Sequence, residues 1–370
     1  MVDPIALAVP GFFALIGVEM VVARRRGLRV YRFNDAVTDL SCGVESQIEA
    51  MFFAVLQLGI YALVLARFSV VHLHGVPAWI VAFLGVDFFY YWWHRGSHEV
   101  NVLWAAHVVH HQSEDYNLAV ALRQSITTGW SSLPFYLPLA VLGVPTLVFA
   151  VTHALSTLYQ FWIHTELVGK VRGPVDWILN LPSHHRVHHA INPQYLDKNY
   201  GATLIVWDRI FGTYIEEDES CTYGITKPLQ SFNPLWAQVQ YFIELATRTV
   251  RLHGFDRARV WLASPAWVAR GETKSHTDVK ARPKYEAETR RGVRQYVFAQ
   301  YVVLLVATSA LMFRHGALKP LVLGACCLAL GGGLVAMGAL LEGRSWGRPI
   351  EIARLAASGL AIALVVHTSS

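Results

Sequence analysis

Long apolar stretches alternate with arginine-rich polar segments along the whole chain. Six of them approach the roughly 20 residues that a helix needs to cross the hydrocarbon of a membrane. They lie near 5–23, 48–66, 77–93, 296–313, 319–341 and 349–366. A seventh apolar region, 131–163, is interrupted by Pro134, Pro138, Gly143 and Pro145. Proline breaks helices, so this region predicts either a re-entrant helical hairpin or a kinked span. The pattern as a whole predicts an all-α polytopic membrane protein, a helix bundle with a polar cap.

The distribution of Lys and Arg predicts the orientation of the bundle. Segment 24–46 carries five Arg, and segment 165–294 carries 18 Lys plus Arg. Positively charged segments stay in the cytoplasm. If the amino terminus lies outside, the cytoplasmic segments are 24–46, 94–130, 165–294 and 342–348. This arrangement requires region 131–163 to enter and leave on the same side, which favours the hairpin.

Composition narrows the class of protein further. Hydrophobic residues make up 54% of the chain and charged residues 15%, against about 25% charged in soluble domains. An ordinary soluble enzyme, a disordered chain and a collagen-like fibre are excluded. The net charge of +5 forms no compact basic stripe, so no nucleic-acid partner is expected. The excess of Arg over Lys is typical of a GC-rich bacterial source, which favours the bacterial inner membrane over the endoplasmic reticulum.

The segments divide the chain into four parts. Residues 1–93 form N-terminal transmembrane helices, and 94–215 form a catalytic region that includes the hairpin near 131–163. Residues 216–294 form a cytoplasmic segment and linker, and 295–370 form C-terminal transmembrane helices. The aromatic run Tyr90–Trp93 at the end of the third span predicts a belt at the membrane interface, with a cage around the substrate as the alternative.

Ten of the 17 histidines fall in four tight groups, and these groups predict a metal centre. Helical spacing puts the members of HxxxH and HxxHH motifs on neighbouring parts of one helix face. The groups are His94 and His98; His107, His110 and His111; His164; and His184, His185, His188 and His189. Eight or nine imidazoles suit two metal ions with open positions, since one tetrahedral site needs only three or four ligands.

The spacing of the histidines alone does not identify the metal, because imidazole suits zinc, copper, iron and nickel alike. The groups follow directly on the third predicted span, where a metal pair could meet a lipid chain. O2 activation by iron is therefore the leading chemistry. A zinc-dependent membrane hydrolase and a carrier of metal or haem are the more distant alternatives.

Several longer strings around the histidines resemble the fatty acid hydroxylase/sterol desaturase superfamily of membrane di-iron enzymes. The strings are HRGSHEVN (94–101), HHQSEDYNL (110–118), ALRQS (121–125), QFWIHTE (160–166), PSHHRVHH (182–189), DKNYG (197–201) and WDRIFGT (207–213). The histidine motifs are shared across the superfamily. The strings EDYNL and ALRQS are typical of its members that cleave ether lipids.

The resemblance implies a monooxygenase that hydroxylates the O-alkyl chain of ether lipids and releases a fatty aldehyde. It implies two iron ions per chain, O2 as the oxidant and a membrane lipid as substrate. The charge distribution described above predicts a cytoplasmic catalytic side. A sterol, fatty acyl or carotenoid hydroxylase or desaturase of the same superfamily is the alternative. The implied metal ligands are His94, His98, His107, His110, His111, His164, His185, His188 and His189.

Electrons must come from an external donor, because the chain lacks a GxGxxG dinucleotide fingerprint. The resemblance makes tetrahydrobiopterin one candidate, and a redox protein is the other. Four polar residues near the histidines in sequence are candidates for catalytic roles: Glu99, Asn117, Asp197 and Asn199. The alternative for each is a local capping, turn or surface role. His184 and Gln160 leave the ligand count open.

Overall fold

The computed structural model describes residues 4–272 and 282–369 of the chain. All regular secondary structure in these residues is helical, apart from two isolated β-bridges. The α-helices, in chain order, are α1 (Pro4–Arg25), α2 (Phe33–Phe68), α3 (Gly75–Glu99), α4 (Asn101–His111), α5 (Thr128–Val141), α6 (Thr146–Trp162), α7 (Pro174–Ile178), α8 (Pro182–His189), α9 (Val206–Phe211), α10 (Pro234–Arg251), α11 (Asp256–Leu262), α12 (Arg291–Arg314), α13 (Pro320–Leu341) and α14 (Gly347–Ser369).

Five helical stretches in the described residues are long and apolar enough to cross a membrane. They are Leu7–Arg25, Phe33–Phe68, Gly75–Glu99, Arg291–Ala317 and Pro320–Leu341. The predicted all-α polytopic membrane architecture is therefore confirmed. The predicted apolar run 349–366 falls within α14, which is helical but is not one of these five stretches.

Helix α2 begins much earlier than the apolar pattern indicates. The predicted span starts near residue 48, whereas the helix starts at Phe33 and runs for 36 residues, about 54 Å. Its first turns are polar but buried, and Asp39 there bonds Arg123 at 3.0 Å with both side chains at most 1% exposed. Apolar content marks only the part of a helix that faces lipid, so these paired polar turns were missed.

Helices α5 and α6 form a hairpin in region 131–163, and its turn lies against the connection between α2 and α3. Val70 donates from its backbone N–H to the carbonyl of Val141 at 2.8 Å, and Leu73 donates to Gly143 at 3.3 Å. Gly143 has a φ of +82°, and a Cβ there would lie 1.7 Å from the Val71 carbonyl oxygen. Only glycine fits this turn, because the conformation and the close approach both exclude a side chain.

A polar cap covers the opposite end of α2 and α3. Helix α4 follows α3 directly, and the Asn101 side chain ties its start to the Val260 carbonyl at 2.9 Å. Helix α10 packs on α4 and α2, with Gln238 donating to Glu45 at 3.1 Å. Part of the predicted segment 216–294 returns to this cap, since Lys284 bonds Asp115 at 2.7 Å. Residues 273–281 of that segment lie outside the described residues.

Candidate metal centre

Helices α3 and α4 supply five of the predicted histidine ligands. His94 and His98 lie one turn apart near the end of α3, where the extended conformation of Val100 ends the helix. The chain then turns directly into α4, whose face toward α3 carries His107 and His111. His94 and His107 meet across this corner, with their Nε2 atoms 3.0 Å apart.

The other four ligands come from the end of α6 and from α8. His164 follows α6 by two residues, and its Nε2 lies 3.0 Å from Nε2 of His185. Helix α8 has eight residues, begins with Pro182 at its first turn and carries His185, His188 and His189. All nine predicted ligands are thereby brought together in one buried place, with side chains at most 9% exposed.

The nine imidazoles separate into two groups, and in each group the donor atoms lie within 4.8 Å of one another. The first group is His94, His98, His107, His111 and His188, and the second is His110, His164, His185 and His189. The groups adjoin, because the rings of His111 and His189 stack with centroids 4.3 Å apart. Each HxxHH motif contributes to both groups.

The spacing of the nitrogens fits metal ligation. Within the groups, five pairs of Nε2 atoms are 3.0–3.2 Å apart. Ligands at about 2.1 Å from an ion and at right angles to each other would be about 3.0 Å apart. Nε2 of His98 and of His188 is buried without a hydrogen-bond partner in the part of the chain that the structure describes, and a metal ion would supply one. An all-imidazole set of this kind fits two ions of the iron, zinc or copper type.

Backbone carbonyls fix the ring orientation of several histidines. Nδ1 donates to a carbonyl oxygen in His94 (Tyr200, 2.7 Å), His110 (Arg123, 2.9 Å), His164 (Gln160, 2.7 Å) and His188 (Lys198, 3.0 Å). A carbonyl can only accept, so Nδ1 carries the proton in these four rings. Their Nε2 lone pairs therefore point into the groups, as metal ligands require.

Burial keeps the ligands outside the spans neutral. It lowers the pKa of His110 to about 4 and the pKa of His188 to about 3. The pKa values of His107, His111, His185 and His189 fall well below the ordinary range, because burial and the neighbouring imidazoles both disfavour the cation. Neutral imidazole is the form that binds metal.

Two aspartates outside the predicted set of site residues hold the loop beside His94. The Asp208 carboxylate accepts from the N–H groups of Tyr200 and Gly201 and from the Thr213 hydroxyl, each at 2.7 Å. Asp87 accepts from the N–H of Thr203 at 2.7 Å and from two further donors. Asp208 lies in the string WDRIFGT, which could have flagged it, whereas Asp87 sits in an apolar span with no motif around it.

Glu99 and Asp197 lie on the polar side of the first group without touching it. Glu99 is exposed and accepts from Arg95 at 2.9 Å, one turn earlier on α3. Asp197 lies in a turn with φ of +59°. Burial raises the pKa of its carboxyl group, and the charge of Glu99 raises it further. The catalytic role of Glu99 and Asp197 stays a prediction.

Asn117 and Asn199 use their amide groups to hold backbone. The Asn117 amide donates to the carbonyl of Val30 at 2.6 Å and accepts from Ala119 N–H at 2.9 Å. Asn199 donates to His184 and Ile215 and accepts from Ile215 N–H at 2.9 Å. Neither side chain bonds a ligand ring. These contacts are typical of positioning residues, and no direct contact supports a catalytic role.

His184 and Gln160 lie apart from both groups. His184 accepts from the Leu181 N–H at the start of α8, and its Nε2 lies 2.9 Å from Asp176. The Gln160 side chain donates to Ser156, while its carbonyl orients His164. His184 thus caps α8, and Gln160 supports the ring of His164 through its backbone carbonyl.

An apolar cavity of about 370 Å³ leads from the metal centre into the bundle. Its inner end is lined by His107, His110 and His164, and its walls come from α1, α2, α3, α5, α6 and α12. Two members of the aromatic run Tyr90–Trp93 border this space and not the predicted interfacial belt, whereas Trp92 is half-buried and does not line it. Tyr91 and Trp93 are at most 3% exposed, and Tyr90 and Trp93 line the cavity. Tertiary packing places them inside, because α3 is surrounded by α4, α5 and α6.

Comparison with known proteins agrees with this geometry. A family model described as fatty acid hydroxylase matches residues 79–213. Alkylglycerol monooxygenase of Danio rerio is 38% identical over 357 residues, which cover 94% of this chain and 79% of that protein. The chain belongs to the fatty acid hydroxylase family. The region that matches the fatty acid hydroxylase model contains all nine histidines of the two groups.

Two further relatives carry the same name. Alkylglycerol monooxygenase of Homo sapiens is 43% identical over 269 residues, and that of Xenopus tropicalis is 42% identical over 268 residues. Each match covers 72% of this chain and 60% of the relative, so the chain spans about three fifths of their length. No solved structure matches this member of the fatty acid hydroxylase family.

Proposed function

We propose that the chain is a membrane di-iron oxygenase that hydroxylates the O-alkyl chain of ether lipids. The observation that carries the proposal is the pair of buried histidine groups at the inner end of an apolar cavity. The names of the relatives at 38–43% identity support an alkylglycerol as the substrate. The alternatives, a sterol, fatty acyl or carotenoid substrate, belong to the same superfamily.

Iron held by the two groups would supply O2 activation. The chain itself orients the ligand rings through backbone carbonyls and excludes water by burying them. The cavity holds the alkyl chain so that its ether-bonded carbon lies beside His107, His110 and His164. Hydroxylation of that carbon gives a hemiacetal, which separates into a fatty aldehyde and a glycerol derivative.

The electron donor lies outside the chain in this proposal. Tetrahydrobiopterin is the first candidate, and the polar surface beside the first group, with Glu99 and Asp197, is where a donor would approach. Asn117 and Asn199 support the same site by holding its loops. A redox protein is the second candidate, and adding each donor to the purified protein separates the two.

The catalytic side is assigned to the cytoplasm of a bacterial inner membrane. Residues 94–215 form the catalytic region, with membrane helices in 1–93 and 295–370 and a cytoplasmic segment in 216–294. The hairpin α5–α6 enters and leaves on the catalytic side. The charge distribution supports this assignment, since 165–294 carries 18 Lys plus Arg.

Purified membranes supplied with an alkylglycerol, O2 and reduced pterin test the proposal directly. We expect O2-dependent release of fatty aldehyde and two irons per chain. Zinc without redox activity would favour a hydrolase, and haem absorbance would favour a carrier. Hydroxylation of a sterol or acyl chain without aldehyde release from alkylglycerol would move the assignment to another branch of the superfamily.

A further inference from the structure

One wall of the apolar cavity carries polar groups in the middle of the bundle. Tyr90 of α3, Tyr136 of α5 and His153 of α6 all line it. The rings of Tyr136 and His153 meet edge to face, with centroids 5.1 Å apart. Tyr90 lies one turn before His94, with ring centroids 5.0 Å apart. The three side chains thus extend from beside the first histidine group along the cavity wall.

These polar groups have no hydrogen-bond partner among the described residues. Tyr136 is 2% exposed, yet its hydroxyl makes no hydrogen bond to any of residues 4–272 and 282–369. The Tyr90 hydroxyl and the His153 ring nitrogens likewise lack one in that part of the chain. All three residues line the cavity, so a molecule there that brings its own hydroxyl groups can form the hydrogen bonds that the protein leaves unmade.

Helices α1 and α12 contribute large apolar side chains to the lining. Phe12 and Phe13 of α1 and Leu305 and Met312 of α12 line the cavity, together with Thr308 and Ser309 of α12. The Thr308 hydroxyl is already used, because it donates to the Leu304 carbonyl at 2.8 Å. Both helices belong to the stretches long and apolar enough to cross a membrane. A hydrocarbon chain therefore fits better between α1 and α12 than beside Tyr90, Tyr136 and His153.

We infer that Tyr90, Tyr136 and His153 form a subsite that hydrogen-bonds the hydroxyl groups of the lipid head group. The inference rests on the proposed function and adds that the site recognises the head-group hydroxyls of the substrate. With the ether-bonded carbon at the metal centre, a glycerol group extends about 6 Å further, given bonds of about 1.5 Å. One helical turn, the separation of Tyr90 from His94 along α3, is about the same length. The alkyl tail leaves between α1 and α12.

Binding of two matched lipids to the full-length protein in nanodiscs tests the subsite. One is an alkylglycerol, and the other is an alkyl propyl ether of equal chain length that lacks both hydroxyl groups. Each competes at equal mole fraction with a radiolabelled alkylglycerol. Wild type should prefer the diol, because a site with polar groups rejects an analogue that cannot pair with them. Tyr136→Phe and His153→Leu should each reduce this preference about 10-fold, the effect of one lost hydrogen bond.

The preference is a ratio within one preparation, so a partly unfolded variant does not change it. Met312→Leu is the matched control, because it alters the apolar wall at nearly constant volume and should keep the wild-type preference. Equal preferences in wild type, Tyr136→Phe and His153→Leu would overturn the subsite. Failure of the proposed function is seen in a different measurement, because the wild-type protein would then release no aldehyde. The binding ratio would still report on the subsite.

Discussion

His110 and His111 are adjacent in sequence, but they belong to different metal groups. On a helix, neighbouring residues point about 100° apart, so His111 shares its face with His107 while His110 points elsewhere. The same separation occurs in α8, where His188 joins the first group and His185 and His189 join the second. Helix geometry thus points the members of each HxxHH motif in different directions, and helix packing assigns them to the two groups.

Replacing one ligand of either group should remove iron and activity. We expect His111→Ala in the first group and His189→Ala in the second to lower bound iron and to reduce turnover more than about 100-fold. Loss of a direct ligand costs more than the 10- to 100-fold that outer contacts cost. Iron analysis and aldehyde assays check this, with the exposed His253→Ala as control. Full iron and full turnover in both ligand variants would contradict the assignment.

Glu99→Gln should separate metal binding from turnover. Glu99 bonds Arg95 and no ligand ring, so the variant should keep its iron. Its charge adds to burial in raising the pKa of Asp197, and we expect turnover to fall about 10-fold when that charge is removed. Arg95→Lys keeps the charge of the ion pair and serves as the comparison. Unchanged turnover in Glu99→Gln would leave this residue as a surface partner of Arg95.

At the scale of elements, two buried carboxylates, Asp87 and Asp208, hold the loop 197–204. Asp208 accepts hydrogen bonds from Tyr200 and Gly201 in this loop and from Thr213 beyond it, and the carbonyl of Tyr200 orients His94. In Asp208→Asn, the side-chain amide N–H would point at one of the groups that now donate to the carboxylate. The lost hydrogen bond costs about 1–3 kcal/mol. We therefore expect roughly 10-fold weaker retention of iron under a chelator, with the fold kept. Asp256→Asn, at the start of α11 outside this loop, should retain iron like wild type.

The hairpin turn makes a second prediction at this scale. Gly143→Ala would place a methyl group against the Val71 carbonyl at a positive φ, so we expect destabilisation of more than about 1 kcal/mol. The unfolding midpoint in detergent should fall accordingly. Gly59→Ala on α2 is the control, because no atom lies within 4 Å of its added carbon. Equal midpoints for the two variants would show that the turn tolerates a side chain.

At the scale of the whole molecule, the testable quantity is orientation. Val70 and Leu142 are exposed at the α2–α3 connection and the hairpin turn, whereas Lys227 is exposed near the cap. An impermeant thiol reagent on intact cells should label Val70→Cys and Leu142→Cys, and should label Lys227→Cys only after lysis. The charge distribution requires this. Labelling of Lys227→Cys in intact cells would reverse the orientation, and a tag within 270–280 gives an independent check.

The sequence alone determined the membrane class, most of the apolar spans and the nine clustered histidines. These properties are local: an apolar run of about 20 residues and a three- or four-residue spacing keep their meaning in any fold. The polar first turns of α2 leave no such local signal, because their polar side chains are paired only by residues far along the chain, as Asp39 is by Arg123.

Only the tertiary structure decided how the histidines divide into two groups, that Asp87 and Asp208 hold the loop beside them, and that Tyr90 and Trp93 line a cavity instead of an interface. These outcomes depend on which helix faces meet. Periodicity gives the direction of each side chain relative to its own helix axis, but packing sets the rotation of each helix against its neighbours. The unpaired groups of Tyr136 and His153 come from the same cause, since the cavity that they line exists only once α1, α5, α6 and α12 are assembled.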